Sequence, residues 1–163
     1  MATEGVPSLP REARPYQGQS AGVATRSVAA GIDALVVLGV LVLGYAVVAG
    51  VRLVIAPLSF RPPDPSWWFT VTSGFVVLMV YLGASWAATG RSYGDHVMGL
   101  RVVEARGGRL GVVRSLVRAL ACAAVPVGLL WCAVSPENRS LQDLVLRTRV
   151  VYDWRPRAVT TRP

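Results

Sequence analysis

The stretch that decides the fold is VAAGIDALVVLGVLVLGYAVVAGVRLVIAP, residues 28–57. Only Asp33 and Arg52 interrupt its apolar character before Pro57. About 20 apolar residues are enough to cross the hydrocarbon core of a bilayer as a helix. The stretch therefore predicts a transmembrane helix over residues 28–56, long enough to tilt or to protrude from the bilayer.

Asp33 is the only acidic residue in this apolar stretch. A carboxylate at the centre of a spanning helix costs roughly 2.5 to 3.5 kcal/mol on insertion scales, so it needs a partner. Arg26 lies seven residues earlier, and two helical turns bring both side chains to nearly the same face. We expect the two to pair. The pair either carries a proton or cation, or it fixes the depth and rotation of the helix. The structural interpretation is favoured, because a single carboxylate is a weak basis for ion-coupled transport.

A second span is predicted over residues 67–89, and it opens with Trp67, Trp68 and Phe69, as is typical of a headgroup interface. The connection at residues 57–66 contains four prolines and is predicted to be extended. Composition agrees with a membrane protein, since 53% of the 163 residues are hydrophobic and only 16% are charged. Soluble domains are usually about 25% charged.

The distribution of arginine predicts the orientation. The net charge is +8 and every basic residue except one histidine is Arg, but no nucleic-acid-binding motif is present. Arginines precede the first span and recur over residues 90–114, whereas the 57–66 connection has one Arg and one Asp. The residues before the first span and residues 90–114 are therefore predicted to be cytoplasmic, and the 57–66 connection is predicted to lie outside. Residues 1–24 and 154–163 are predicted to be tails, the first of them disordered, on either side of a membrane domain at residues 25–153.

A third apolar segment, about residues 115–134, has two possible topologies. It is long enough to span, but it contains Arg118 and a central Pro126, and six arginines follow it. If the segment spans, those arginines lie outside; if it re-enters and returns, they stay in the cytoplasm. Residues 100–105 predict a strand, 106–109 a turn and 110–113 a returning strand, with a third strand at 148–152. Pairing of the last strand with the first favours a cytoplasmic C-terminus.

Three motifs in this order resemble the RDD family of bacterial membrane proteins, named for one Arg and two Asp. The motifs are TRSVAAGID at residues 25–33, GRSYGDHVMGLRVV at 90–103 and NRSLQDLVLRTRVV at 138–151. The resemblance assigns Arg26 and Asp33 to the first motif, Asp143 to the last, and Arg118 to the start of the third hydrophobic segment. Asp95 departs from the family pattern, in which this position is often basic. The resemblance implies a mainly α-helical membrane fold with a small cytoplasmic hairpin or three-stranded sheet.

The four candidate functional or structural residues are Arg26, Asp33, Arg118 and Asp143. For Asp143 we expect contact with Arg118 or Arg26 at the cytoplasmic mouth, most simply as a clasp for the last segment. Arg114 and Arg118, one helical turn apart, are also candidates for binding anionic lipid headgroups. Cys122 and Cys132 are predicted to be reduced packing residues.

The resemblance implies transport of an unknown ligand or cation/proton exchange by a multi-pass protein of the bacterial plasma membrane. The arginine distribution and the strand pairing predict that both termini are cytoplasmic. The alternative is a non-transporting membrane module that binds lipid or a partner membrane protein. No nucleophile and base, metal-ligand cluster or cofactor motif is visible, so we expect no enzyme, no metal and no cofactor. The expected partners are the lipid bilayer, anionic headgroups and a homo-oligomer or partner membrane protein.

Overall fold

The computed structural model describes residues 17–105, 108, 110–125, 128, 131 and 140–154. Two long helices dominate it, α1 (Val23–Ile55) and α2 (Trp67–Ala88), and both are long and apolar enough to cross a membrane. The two predicted spans are therefore confirmed as helices, with α1 beginning five residues earlier than predicted. At about 1.5 Å per residue, α1 is roughly 50 Å long and exceeds the ~30 Å hydrocarbon core.

The two long helices form an antiparallel hairpin. Asp33 bonds to Tyr81, and about two turns further along Leu41 lies against Gly74. A short 3-10 turn (Pro57–Ser59) and an extended stretch join them, and the Ser66 side chain caps α2 by accepting from the Phe69 N–H. Beyond Val37 almost every α1 side chain is exposed, including Val54 at 81%. Apolar side chains exposed on all sides of a helix are typical of contact with lipid.

A small sheet closes the end where α1 begins and α2 ends. It contains β1 (Leu100–Glu104) and β2 (Thr148–Tyr152), which pair antiparallel with Val102 opposite Val150. The predicted pairing of these two segments is confirmed. The predicted returning strand at residues 110–113 is wrong, because Val112 and Val113 begin a helix, α4 (Val112–Ala124).

The other edge of β2 is covered by the segment before α1. The Ala21 N–H donates to the Val150 carbonyl at 2.9 Å, and the Tyr152 N–H donates to the Gln19 carbonyl at 3.0 Å. The sequence predicted this part of the N-terminal tail to be disordered, whereas residues 17–22 lie along the strand. The prediction missed this ordered segment because its backbone hydrogen bonds are made with a strand more than 120 residues away, and no local sequence pattern indicates them. Residues 1–16 of the predicted tail lie outside the described residues.

Three shorter helices complete this end: α3 (Tyr93–Val97), α4 and α5 (Leu141–Leu146). Helix α4 has 13 residues and contains the first part of the third apolar segment; it is about 20 Å long, shorter than a bilayer core. The Gln142 side chain donates to the Val125 carbonyl at 2.7 Å, so the chain is back beside the end of α4 when α5 begins. The residues that connect them are mostly outside the described ones.

The buried core lies at the same end, between the sheet, α4 and the adjoining halves of the two long helices. Close approach there requires glycine: a Cβ on Gly83 of α2 would lie 2.7 Å from Leu116 of α4, and one on Gly94 would overlap the Ala29 carbonyl. The packed end brings together distant parts of the sequence. Its buried apolar residues are Ala21, Ala29, Leu82, Trp86, Leu100, Val102, Leu110, Ala119 and Val150.

Candidate functional site

Asp143 is the centre of a buried ion cluster at the packed end. Only 1% of Asp143 is exposed, and its two carboxylate oxygens receive one guanidinium each, from Arg26 and from Arg118. Thr148 also donates to Oδ1, at 3.1 Å. The cluster therefore joins α1, α4, α5 and β2 through one carboxylate.

Local sequence fixes the position of Asp143. Ser140 and Asp143 form a capping box at the start of α5, in which each side chain accepts from the other's backbone N–H at 3.2 Å. Helix α5 ends at Arg147 with φ of 52°, and β2 begins at the next residue. This tight turn holds Thr148 beside the carboxylate that it contacts.

Two opposing effects act on the ionisation of Asp143. Burial alone would raise its pKa, but the charges of Arg118 and Arg26, together with their hydrogen bonds, outweigh burial and hold the pKa well below its usual range. Burial would likewise lower the pKa of Arg118, and the charge of Asp143 reverses that effect and raises it. The surroundings of Asp143 and of Arg118 therefore favour the charged form of each.

Arg26 has a different partner from the one predicted. It binds Asp143 rather than Asp33, and its Nε also donates to the Ala21 carbonyl at 3.0 Å. The prediction of an Arg26–Asp33 pair is wrong because it considered one helix alone, while Asp143 approaches from the far end of the sequence. The expectation that Asp143 meets Arg118 or Arg26 is confirmed, and it meets both.

Asp33 is held by neutral donors. Oδ1 accepts from the Tyr81 hydroxyl at 2.7 Å and the Gly94 N–H at 2.8 Å, while Oδ2 accepts from the Ser92 hydroxyl at 2.5 Å. Tyr81 in turn accepts from the Tyr93 N–H at 3.0 Å. Asp33 thus fastens α1 to α2 and to the first turn of α3.

Asp95 connects the surroundings of Asp33 to the ion cluster of Asp143, through Ser92 and Trp86. It forms the second capping box, with Ser92 at the start of α3, and its Oδ2 accepts from the Trp86 indole N–H at 2.9 Å. The Arg118 guanidinium lies over the Trp86 ring, 5.1 Å from its centroid, within the range of a cation–π contact. Asp95 therefore orients the aromatic ring on which Arg118 rests.

Two arginines that the sequence grouped together are in different environments. Arg118 is only 4% exposed, so the expectation that it contacts lipid headgroups is wrong. The Arg114 side chain is 53% exposed and pairs with Glu104 at 2.6 Å. Surface pairs of this kind contribute little to stability.

A cavity of about 530 Å³ lies between α1, α2 and α4, next to Asp33 and to the ion cluster of Asp143. Its volume is within the 300–1,000 Å³ typical of small-molecule sites. Six of its lining residues are polar, and the rest are apolar or glycine. The lining residues are Arg26, Ala29, Ala30, Asp33, Ala34, Val37, Gly74, Phe75, Leu78, Leu82, Trp86, Asp95, Val102, Arg118, Cys122, Ala123, Ser140, Gln142 and Val150.

The part of the chain that the structure describes contains no group of three or more His, Cys, Asp or Glu side chains placed to hold a metal ion. Cys122 is a free thiol in the cavity wall, and burial raises its pKa. Cys132 lies outside the described residues. The cavity can therefore offer shape, apolar surface and hydrogen bonds to a bound molecule.

The sequence identified the four charged residues and the contact of Asp143 with the two arginines, but it missed the polar and aromatic residues that bind them. Ser92, Asp95 and Ser140 had a recognisable signal, because SYGD at 92–95 and SLQD at 140–143 both match a Ser-x-x-acid capping box. Tyr81 and Trp86 had none, since an aromatic residue in an apolar span is usually a packing residue.

Comparison with known families identifies the chain. The model of the RDD family matches residues 20–147, which is most of the chain, so the protein belongs to the RDD family. Searches of curated proteins and of solved structures found no match.

Proposed function

We propose that this RDD-family protein is a multi-pass protein of the bacterial plasma membrane that binds a small molecule in the cavity beside Arg118 and Asp33. The observation that carries the proposal is the cavity itself, about 530 Å³ between α1, α2 and α4. A largely apolar wall with a few convergent polar groups is the usual form of a small-molecule site.

The proposed topology has two spans and both termini in the cytoplasm. The backbone bonds that join residues 18–21, β1 and β2 require these three segments to share one side of the membrane. Arg91, Arg101 and Arg114 belong to that side, while the opposite connection has Arg61 next to Asp64. The positive-inside rule then makes the packed end cytoplasmic, with the third apolar segment returning to its side of entry.

Binding is tested with Trp86 as the reporter, because it lines the cavity and is only 6% exposed. Replacing the other four tryptophans by Phe leaves Trp86 as the single indole, and this protein is called the Trp86 reporter. The replacements are Trp67→Phe, Trp68→Phe, Trp131→Phe and Trp154→Phe. The reporter is used only if its unfolding temperature in detergent equals that of the natural chain.

We expect a probe with a dibrominated C18 chain to quench Trp86 saturably, because bromine quenches an indole only at close range. Ala34→Phe should abolish the quenching, since Ala34 lines the cavity. Ala46→Phe is the matched control, because Ala46 is exposed on the same helix and does not line the cavity. Quenching that is absent, or equal in both Phe variants, would contradict the proposal.

A second candidate function is cation/proton exchange, and one observation favours it: Asp33 lies inside a candidate span and lines the cavity. A pathway needs more enclosure than two spans provide, so exchange requires an oligomer. The test is cation-driven proton flux in proteoliposomes with an internal pH dye, comparing the natural chain with Asp33→Asn. Flux that disappears in the variant supports exchange, and no flux from either protein rules exchange out.

A further inference from the structure

The polar end of the cavity contains a hydrogen-bond donor for which the described residues supply no acceptor. Arg118 donates through Nη1 to Asp143 and Thr148, but its Nε is buried and has no hydrogen-bond partner among the described residues. A buried donor without an acceptor costs about 1–3 kcal/mol, so it is uncommon in a folded protein. Arg118 lines the cavity, where a bound molecule could supply the missing acceptor.

Two guanidinium groups and three carboxylates surround this donor, those of Asp143, Asp33 and Asp95, so neither sign of charge is in large excess. The guanidinium groups of Arg26 and Arg118 share Asp143, and Asp33 accepts three hydrogen bonds from the protein. An anion would meet the carboxylates of Asp33 and Asp95, and a cation would meet the two guanidinium groups. An anion would lose its hydration to a largely apolar wall beside these carboxylates, and a cation has no acceptor to offer to Arg118.

The apolar part of the cavity lies between the two long helices. Ala30, Ala34 and Val37 form its wall on α1, and Phe75 and Leu78 form the wall on α2. These residues extend from the neighbourhood of Asp33 and the ion cluster toward the middle of the spans. A molecule with a polar end beside Arg118 would therefore place its apolar body along the spans.

We propose that the cavity binds an uncharged molecule with an apolar body and a hydrogen-bond acceptor, such as an ester or ketone oxygen, which accepts from Arg118 Nε. The inference rests on the proposed function and names the class of ligand. Two sources supply this chemistry: an acyl ester of a membrane lipid, or a free neutral amphiphile.

The test compares four dibrominated C18 probes with the Trp86 reporter in detergent micelles. They are the 9,10-dibromostearate methyl ester, the free acid at pH 8, the corresponding primary amine and 9,10-dibromooctadecane. We expect the ester to half-saturate quenching at a concentration at least tenfold lower than the other three. A charged probe that binds as tightly as the ester would overturn the inference and leave binding in the cavity intact, whereas no quenching by any probe would overturn the proposed function itself.

Arg118→Lys isolates the donor, because Lys keeps the positive charge beside Asp143 and lacks the Nε–H. Loss of a hydrogen bond from a charged group should weaken ester binding about tenfold or more and leave binding of the hydrocarbon unchanged. Equal ester affinity in both proteins would overturn the assignment of Arg118. If the variant does not fold, the comparison of ester with hydrocarbon in the unchanged reporter decides.

The source of the ligand is distinguished in vesicles of dibrominated phosphatidylcholine without any added probe. Quenching of Trp86 that Ala34→Phe relieves identifies a lipid ester as the occupant. Quenching that is the same with and without Ala34→Phe, and that increases when the methyl ester is added, identifies a free amphiphile. Both outcomes support the class of ligand. If neither the lipid nor the ester quenches Trp86, the result contradicts it.

Discussion

Asp33 and Asp143 are both buried carboxylates at the cytoplasmic end proposed for this protein, yet their surroundings differ. Asp143 is bound by two guanidinium groups, whereas Asp33 is bound by two hydroxyl groups and one backbone N–H. Each fastens a short helix, α5 or α3, that begins with a Ser-x-x-Asp capping box. The same local motif is therefore used twice with different electrostatics.

The difference separates two kinds of buried acid. Two buried cations depend on the charge of Asp143, so its ionisation is part of the fold. The hydroxyl groups of Tyr81 and Ser92 can donate or accept, so the site of Asp33 can adapt to an amide in place of a carboxylate. This makes Asp33 the better candidate for a residue whose protonation changes during function, and Asp143 the better candidate for a structural clasp.

The largest expected effect comes from Asp143→Asn. The variant removes the carboxylate that two buried guanidinium groups share, and breaking a buried pair typically costs about 3–5 kcal/mol. We expect a large fall in the unfolding temperature in detergent and in the amount of protein in the membrane. Asp64→Asn, at an exposed position between the spans, is the control and should change neither. If both variants are equally stable, Asp143 is not a clasp.

Acid should reveal the same clasp in the unmodified protein, with a smaller effect. The pKa of Asp143 is far below its value in the unfolded chain, about 3.9, so the unfolded state binds more protons at low pH. The stabilisation by Asp143 is complete above about pH 5 and is lost progressively as pH falls toward the folded pKa. Unfolding temperatures from pH 6 to pH 3 should therefore fall more steeply for the natural chain than for Asp143→Asn. Parallel curves would show that Asp143 does not titrate with unfolding.

Asp33→Asn should have the smallest effect on stability, about 1–2 kcal/mol, because the amide keeps one acceptor and its NH₂ can donate to Ser92 or Tyr81. Unfolding temperature in detergent measures it against Asp143→Asn. Exchanging the charges, with Arg26→Asp and Asp33→Arg, should not restore stability, because Arg26 binds Asp143. Recovery in the double variant would show that Arg26 and Asp33 depend on each other after all.

Much of the architecture could be predicted from local sequence. Long apolar runs predicted both spans, because crossing a bilayer requires length and hydropathy, which are local properties. The pairing of β1 with β2 was predicted from two β-branched segments and the requirement that both lie on one side of the membrane. The return strand at 110–113 was wrong: Val112 and Val113 lie mostly exposed in the first turn of α4, and this helix contacts α2 through Leu116 at Gly83.

The sequence alone determined which side chains are costly to bury: Arg26, Asp33, Arg118 and Asp143 stood out because a charge in an apolar setting must be compensated. Only the tertiary structure decided how each is compensated. Asp143 follows Arg26 by 117 residues, and Tyr81 follows Asp33 by 48. Helical periodicity relates residues only a few turns apart, so it proposed the wrong pair, and it gave no sign of the cavity that the packed helices enclose. The compensation of charge and the shape of the cavity both arise from contacts between distant segments.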